Sequence, residues 1–155
     1  MLFGLAGQDV LFGGAGGDFL FGGAEFDVIF GGDAGDLIIG GAGGDQLTGG
    51  AGGDAFWYQT TTDGNDLITD FVSGADAFRF TAAAFGFAVG ATLTAGTNFI
   101  SGPQAGPTAA TPTFYYFSNS GLLYYDADGT GGGAAVFIAQ LQGAPALSAG
   151  DFAFV

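Results

Sequence analysis

One aspartate recurs every nine residues through the first third of the chain. Six consecutive nonapeptides occupy residues 4–57, and each begins with glycine, has aspartate sixth and a large apolar residue eighth. The recurring aspartates are Asp9, Asp18, Asp27, Asp36, Asp45 and Asp54. A disordered glycine-rich linker with incidental acids would not keep an apolar residue two positions after every aspartate. The register therefore predicts an array of structural repeats.

Each nonapeptide predicts a turn followed by a short strand. Glycine-rich hexapeptides form turns because glycine tolerates positive φ, and the next three residues place their central side chain inward. Two nonapeptides would complete one coil, with successive coils about 4.8 Å apart. The sequence therefore predicts an all-β fold, a right-handed parallel β-roll (β-helix) over residues 1–57. A β-rich C-terminal cap is predicted over residues 58–155.

Stacked turns of this kind suit a hard cation. Alternate aspartates would line opposite edges of the roll, where carboxylate and carbonyl oxygens of two coils supply the oxygen ligands that Ca²⁺ prefers. The predicted metal-site residues are the six recurring aspartates and the turn glycines Gly14, Gly16, Gly23, Gly32, Gly41, Gly43, Gly50 and Gly52. Asp66, Asp70 and Asp76 are further candidates. One or two acids after the last repeat either complete a terminal site with Asp54 or only solvate loops.

The nonapeptides resemble the RTX (hemolysin-type) calcium-binding repeat. Residues 66–71, with Gly74 and Asp76, resemble the DxIxDFxxGxD segment that follows such repeats in serralysin-type proteins. Residues 99–102, 121–126 and 140–143 are similar to the C-terminal region of hemolysin-type proteins. The acidic-then-apolar ending at residues 151–155 resembles an uncleaved type I secretion tail. The resemblance implies several bound Ca²⁺ ions, export by type I secretion machinery, and folding outside the cell.

Composition restricts the partners and the location. The formal net charge is −14, with one Arg, no Lys and no His, so the chain should repel nucleic acid and anionic membranes. With 18 Phe it can bury a core, but without Cys it has no disulfides. No N-terminal signal peptide and no apolar run of membrane-spanning length are visible. We expect an extracellular or cell-surface protein that does not insert into membranes.

The residues needed for common catalysis are missing. Without His, Cys or Lys there is no ordinary general base for a serine, no thiolate and no Schiff-base lysine. The sequence therefore predicts a non-enzymatic protein. Arg79 lies in an apolar predicted strand, which favours a structural ion pair with a nearby aspartate.

Several positions depart from the repeat. Glu25 and Ala34 replace glycine at the fourth position, and Leu5 replaces it at the second. If the fourth position requires positive φ, each side chain there costs about 1 kcal/mol. The turn of residues 22–27 either tolerates this or binds calcium differently. The loop starting at Asp126 is not an EF-hand, because its twelfth position is Phe137; a hairpin turn is favoured over an extra calcium site.

Beyond the repeats, short strands are predicted from β-rich composition. They cover residues 67–71, 77–80, 99–100, 114–117, 122–125, 136–141 and 151–155, and residues 82–113 are otherwise irregular.

The outward positions of the repeats are unusually apolar. They are Val10, Phe12, Val28 and Phe30 on one sheet, and Phe19, Phe21, Leu37, Ile39 and Trp57 on the other. Soluble monomers rarely leave such a patch exposed. It therefore predicts a contact with other copies of the chain, with a partner domain, or with residues 82–113 folding back. We therefore predict a calcium-folded protein that self-assembles into an extracellular filament, matrix or surface layer. The alternative is the C-terminal calcium-binding and secretion module of a larger exported enzyme or adhesin. A third hypothesis is carbohydrate binding by Tyr115, Tyr116, Tyr124 and Tyr125.

Overall fold

A computed structural model describes all residues 1–155. It contains fourteen strands, two short 3₁₀-helices and no α-helix. The strands are β1 (Leu2–Ala6), β2 (Val10–Ala15), β3 (Phe19–Ala24), β4 (Val28–Asp33), β5 (Leu37–Ala42), β6 (Gln46–Ala51), β7 (Ala55–Tyr58), β8 (Asp66–Ile68), β9 (Ala77–Phe80), β10 (Phe99–Gly102), β11 (Thr113–Phe117), β12 (Leu122–Asp126), β13 (Val136–Leu141) and β14 (Phe152–Phe154). The 3₁₀-helices cover Ala82–Phe85 and Ala149–Asp151.

The repeats wind between two sheets. Sheet A has the strand order β1-β3-β5-β7-β9-β14, and sheet B has the order β10-β11-β12-β13-β8-β6-β4-β2. Successive nonapeptides therefore cross from one sheet to the other, and strands two repeats apart pair in parallel, as Leu20 does with Ile38. The predicted fold class, an all-β parallel β-roll, is confirmed.

The eighth residue of each nonapeptide builds the core of the roll. These side chains are between 0 % and 8 % exposed: Leu11, Leu20, Ile29, Ile38, Leu47 and Phe56. The short strand alternates direction, so it sends one side chain inward between two that point outward. Burial of each large apolar side chain contributes roughly 1.5–3 kcal/mol, which explains why this position is never polar.

The roll continues beyond the repeats. Strand β8 pairs with β6 and β9 pairs with β7, both in parallel, and β14 adds to the outside of β9. The strand predicted at residues 77–80 is confirmed. The strand predicted at residues 67–71 is shorter, ending at Ile68, because the chain then enters a turn that returns it to sheet A. Phe71 is nevertheless buried, at 5 % exposure.

The remaining strands extend sheet B. Strands β11, β12 and β13 form an antiparallel meander that joins the roll through parallel pairing of β13 with β8. The predicted strands around residues 99–100, 114–117, 122–125 and 136–141 are all present. Aromatic rings fill the space between this meander and β14, with ring centroids 4.6 Å apart for Phe80 and Phe114 and 4.2 Å apart for Phe87 and Phe154. The apolar core is thus continuous through the molecule.

The outer faces are most open at the N-terminal coil. Val10 and Phe12 are 60 % and 64 % exposed, and the ring of Phe12 stacks on that of Phe30 at 5.0 Å. Ile39, expected on the surface, is only 1 % exposed, and in the sheet it is aligned with Phe21 of the neighbouring strand. The apolar outer patch therefore concentrates where β1 and β2 end their sheets.

The ion pair predicted for Arg79 is absent. The only ion pair in the structure joins the Met1 ammonium to Asp18 at 3.6 Å. Arg79 lies on the outer face of sheet A, aligned with Trp57. The recurring aspartates lie instead at the turns between the two sheets, which explains the missing partner.

Candidate metal centre

Two ladders of aspartates run along the edges of the roll. The backbone N–H of each recurring aspartate donates to Oδ1 of the aspartate one coil further on. On one edge Asp9, Asp27, Asp45 and Asp66 are linked at 2.8, 2.8 and 3.0 Å. On the other edge Asp18, Asp36, Asp54 and Asp76 are linked at 2.7, 2.8 and 2.9 Å. Asp66 and Asp76 thus occupy the positions that a further repeat would give to aspartate.

The second carboxylate oxygen of the ladder is left without a partner. Oδ2 is buried and accepts no hydrogen bond in Asp9, Asp27, Asp36, Asp45 and Asp54. In all five it lies against the glycine that opens the same turn, close enough that a β-carbon there would collide with it. A buried, unsatisfied polar group costs about 1–3 kcal/mol, and more when it is charged. A cation at each turn would remove this cost.

Backbone carbonyls stack beside these oxygens. A β-carbon on Gly22 would collide with both Asp27 Oδ2 and the Gly40 carbonyl, and one on Gly31 with both Asp36 Oδ2 and the Gly49 carbonyl. No group of three acidic side chains is placed to hold a metal, so carboxylates alone do not form the site. Backbone carbonyls would have to supply the other ligands, which is the oxygen-rich donor set that Ca²⁺ accepts. The residues present therefore fit calcium.

The predicted turn glycines all have positive φ. The angles are 98° at Gly14, 88° at Gly16, 124° at Gly23, 118° at Gly32, 102° at Gly41, 147° at Gly43, 103° at Gly50 and 139° at Gly52. These values let the carbonyls turn toward the neighbouring coil.

The three non-glycine substitutions also have positive φ. Leu5, Glu25 and Ala34 lie at 81°, 76° and 73°, close to the left-handed helical region. The glycines at the same repeat position as Glu25 and Ala34 have larger φ, from 88° at Gly16 to 147° at Gly43. The turns with a side chain are therefore accommodated by a change in φ, within a region that non-glycine residues can occupy at a cost of about 1–2 kcal/mol.

Three acids outside the ladders also accept hydrogen bonds. Asp70 accepts hydrogen bonds from the N–H groups of Gly49 and Gly50, at 2.9 and 2.8 Å. Asp63 accepts from the N–H groups of residues 59 and 60 and from the Thr60 hydroxyl. Asp126 accepts from the N–H groups of Asp128 and Gly129, and its loop joins two antiparallel strands. The predicted hairpin at Asp126 is thus confirmed.

Burial raises the pKa of four ladder carboxylates, Asp27, Asp45, Asp54 and Asp66. It raises the pKa of Asp45 to about 6, with the charges of Asp27 and Asp63 adding to the effect. Burial also raises the pKa of Asp27 and of Asp54, and that of Asp66 well above its usual range. A divalent ion at the turns would lower these pKa values, because it favours the charged form of the carboxylate.

Sequence reasoning missed the carbonyls that close each ladder. A β-carbon on Gly35 would lie 2.8 Å from the Gly53 carbonyl, and one on Gly53 would lie 2.8 Å from the Ala75 carbonyl. On the other edge, a β-carbon on Gly44 would lie 3.0 Å from the Asn65 carbonyl. Residues 65 and 75 thus continue the fifth repeat position. Asp66 and Asp76, which directly follow these residues, were the signal available in the sequence. They are hard to align with the repeat because the spacing between aspartates is no longer nine residues.

Comparison with known proteins agrees with this geometry. The family described as RTX calcium-binding nonapeptide repeat (4 copies) matches residues 1–29 and 21–56. The N-terminal part of the chain therefore matches the RTX calcium-binding repeat, over about a third of its length. No curated protein sequence matches the chain.

Two solved structures are similar over almost the whole chain. The AlgE6R2 subunit of the Azotobacter vinelandii mannuronan C5-epimerase has a TM-score of 0.52 and 27 % identity, covering 97 % of this chain and 91 % of that one. The AlgE6R3 subunit of the same enzyme has a TM-score of 0.47 and 24 % identity, covering 97 % and 81 %. The similarity to AlgE6R2 extends past the repeats into the C-terminal strands.

Proposed function

We propose that this chain is a secreted calcium-binding RTX protein that folds when Ca²⁺ occupies the turns of the roll. The buried, unpartnered Oδ2 atoms on both edges carry this proposal. They leave the roll with an unmet electrostatic cost that calcium would offset, so metal binding and folding are coupled. The chain would remain unfolded in a low-calcium cytosol, cross the cell envelope through type I secretion machinery, and fold outside the cell or at its surface.

The proposed role is non-catalytic. The chain lacks His, Cys and Lys, and its recurring aspartates are engaged in the ladders. Neither helix of the structure is long and apolar enough to cross a membrane.

The coupled folding is tested by circular dichroism during calcium titration from a chelated start. We expect β-structure to appear with calcium. Asp36→Ala should raise the calcium midpoint because Asp36 is a ladder carboxylate on the roll. Asp128→Ala removes the same charge from an exposed loop and should leave the midpoint near that of the unmodified chain. Equal midpoints for the two variants, or no folding with calcium, would overturn the proposal.

The chain's place in a larger assembly has two candidates. Similarity to AlgE6R2 over 91 % of that subunit favours a calcium-binding module of a larger exported enzyme or adhesin. The second candidate is a self-assembling extracellular filament, matrix or surface layer, supported by Phe3, Val10 and Phe12, which are 52 %, 60 % and 64 % exposed. Sedimentation velocity on the calcium-loaded chain separates them: a monodisperse monomer supports the module, and large calcium-dependent assemblies support self-association.

A further inference from the structure

Asp151 is a buried carboxylate that belongs to neither ladder. It lies just before β14, is 3 % exposed, and has both oxygens engaged. Oδ2 accepts hydrogen bonds from the Ser73 hydroxyl at 2.7 Å and from the Ser148 N–H at 2.8 Å. Oδ1 accepts from the Gly74 N–H at 3.0 Å. Asp151 therefore joins the C-terminal segment to a turn more than seventy residues earlier.

The turn held by Asp151 closes one edge of the roll. Within it, Asp76 accepts the Asp54 N–H through Oδ1 and the Val72 N–H through Oδ2, at 2.9 and 2.7 Å. A β-carbon on Gly53 would lie 2.8 Å from the Ala75 carbonyl, just as one on Gly35 would lie 2.8 Å from the Gly53 carbonyl. This turn thus supplies both a carboxylate and a carbonyl to the last position of the ladder.

The turn is held internally by hydrogen bonds from the Ala75 and Asp76 N–H groups to the Val72 carbonyl, at 3.0 and 2.8 Å, but it lacks a coil on its outer side. Nonapeptide turns inside the roll have a coil on each side, whereas residues 72–76 have one on the Asp54 side only. Val72 is 57 % exposed. On the outer side, the Asp151 carboxylate takes the place of a further coil. Its own position is fixed because Phe152 and Phe154 are buried and β14 pairs in parallel with β9.

We infer that Asp151 is a positioning residue for the cation site between Asp54 and Asp76. The inference rests on the proposed calcium-dependent function. Asp151 lies outside the ladder, and its oxygens accept hydrogen bonds from Ser73, Gly74 and Ser148. It fixes the turn so that the Asp76 carboxylate and the Ala75 carbonyl lie beside Asp54, whose Oδ2 has no hydrogen-bond partner. The last site on this edge therefore becomes competent only when residues 148–155 have docked.

The test is a calcium titration of the full chain, followed by NMR at individual backbone amides. The Asp54 amide reports the Asp76 edge, and the Asp45 amide reports the opposite edge, which ends at Asp66. Asp151→Asn keeps the size of the side chain but removes one acceptor and the charge. We expect the calcium midpoint at the Asp54 amide to rise about tenfold, as expected for losing one hydrogen bond to a charged group. The Asp45 midpoint should move much less.

Two further variants make the outcome specific. Ser73→Ala removes one of the three hydrogen bonds, so it should shift the Asp54 midpoint in the same direction by less. Asp128→Asn removes an equal charge from an exposed loop and should shift neither amide. Equal shifts at both amides in Asp151→Asn would mean general destabilisation and would overturn the inference, as would no shift at all. Failure of the unmodified chain to respond to calcium would instead overturn the proposed function.

Discussion

At the four central ladder aspartates, Asp27, Asp36, Asp45 and Asp54, the two carboxylate oxygens have different roles. Oδ1 accepts a backbone N–H from the preceding coil and so fixes the stacking of the turns. Oδ2 is buried against the turn without a hydrogen-bond partner. In the proposed function, one side chain thus contributes both to the stacking of the coils and to the cation site. Asparagine could also accept the backbone N–H, but it would lack the negative charge that cation binding requires.

The raised pKa of Asp45 predicts opposite pH dependences with and without calcium. Without calcium, the folded state holds its proton up to about pH 6, whereas an unfolded aspartate releases it near 3.8. The folded state then binds more protons, so apo stability should fall as pH rises from about 4 to 6. With calcium, stability should rise over the same range, because protons compete with the metal.

Chemical denaturation at several pH values, in chelator and in excess calcium, measures both slopes. Where the apo chain is too unstable at neutral pH, its β-structure should still increase on acidification. An apo stability that rises with pH between 4 and 6 would contradict the assigned burial of this carboxylate.

The φ values predict an asymmetry between two substitutions at the fourth repeat position. Gly52 lies at 139°, and a β-carbon there would collide with the Ala34 carbonyl. Gly52→Ala should therefore destabilise the calcium-loaded roll by roughly 1–3 kcal/mol. Ala34 lies at 73°, so Ala34→Gly relieves strain but adds unfolded-state entropy, and should change stability by less than about 1 kcal/mol. Denaturant unfolding in excess calcium compares them, and equal losses would contradict the different backbone conformations.

At the scale of the element, the nonapeptide places its outward residues in columns along each sheet. Phe12, Phe30 and Thr48 share one such column of sheet B. The column is aromatic at the N-terminal coil and polar toward the middle of the sheet, where the Thr48 and Thr69 hydroxyls lie 2.7 Å apart. The fold therefore accepts a polar residue in this column, and the exposed ring of Phe12 is not required by the core.

This column gives a direct test of self-association. Phe12→Thr introduces the residue already present at position 48, so calcium-dependent folding should remain. If the aromatic columns mediate assembly, the variant should sediment as smaller species at the same calcium concentration. Thr48→Ser, a small change in the same column, is the control. Unchanged assembly of Phe12→Thr would exclude this column as a contact.

Beyond the repeats, some features follow from the local sequence and others depend on contacts between distant residues. The strand at residues 77–80 was predictable because apolar residues alternate there and a turn precedes it. Residues 69–71 were assigned to a strand because their composition is β-rich, but the chain must turn there to reach the next sheet. Arg79 had no predictable partner, because the positions of the acids relative to its face depend on how the coils stack.

At the scale of the whole molecule, charge and metal are coupled. About six calcium ions would neutralise most of the formal net charge of −14. Without them, repulsion between the stacked carboxylates opposes the compact state. Small-angle scattering should give a radius of gyration of about 15 Å in calcium and approach about 40 Å in chelator. High salt without calcium should compact the chain only partly, because screening cannot fill the turns. Equal radii with calcium and with chelator would contradict coupled folding.

The sequence by itself determined the roll, its parallel strands, its inward residues and its aspartate-lined edges. These features are periodic, and each repeat encodes the same local turn and strand, so nine residues specify the whole array. The tertiary structure alone decided how the array ends. Asp66 and Asp76 complete the ladders, Asn65 and Ala75 supply carbonyls, and Asp151 holds the last turn. These contacts join residues without a fixed spacing, and only packing of the C-terminal strands brings them together.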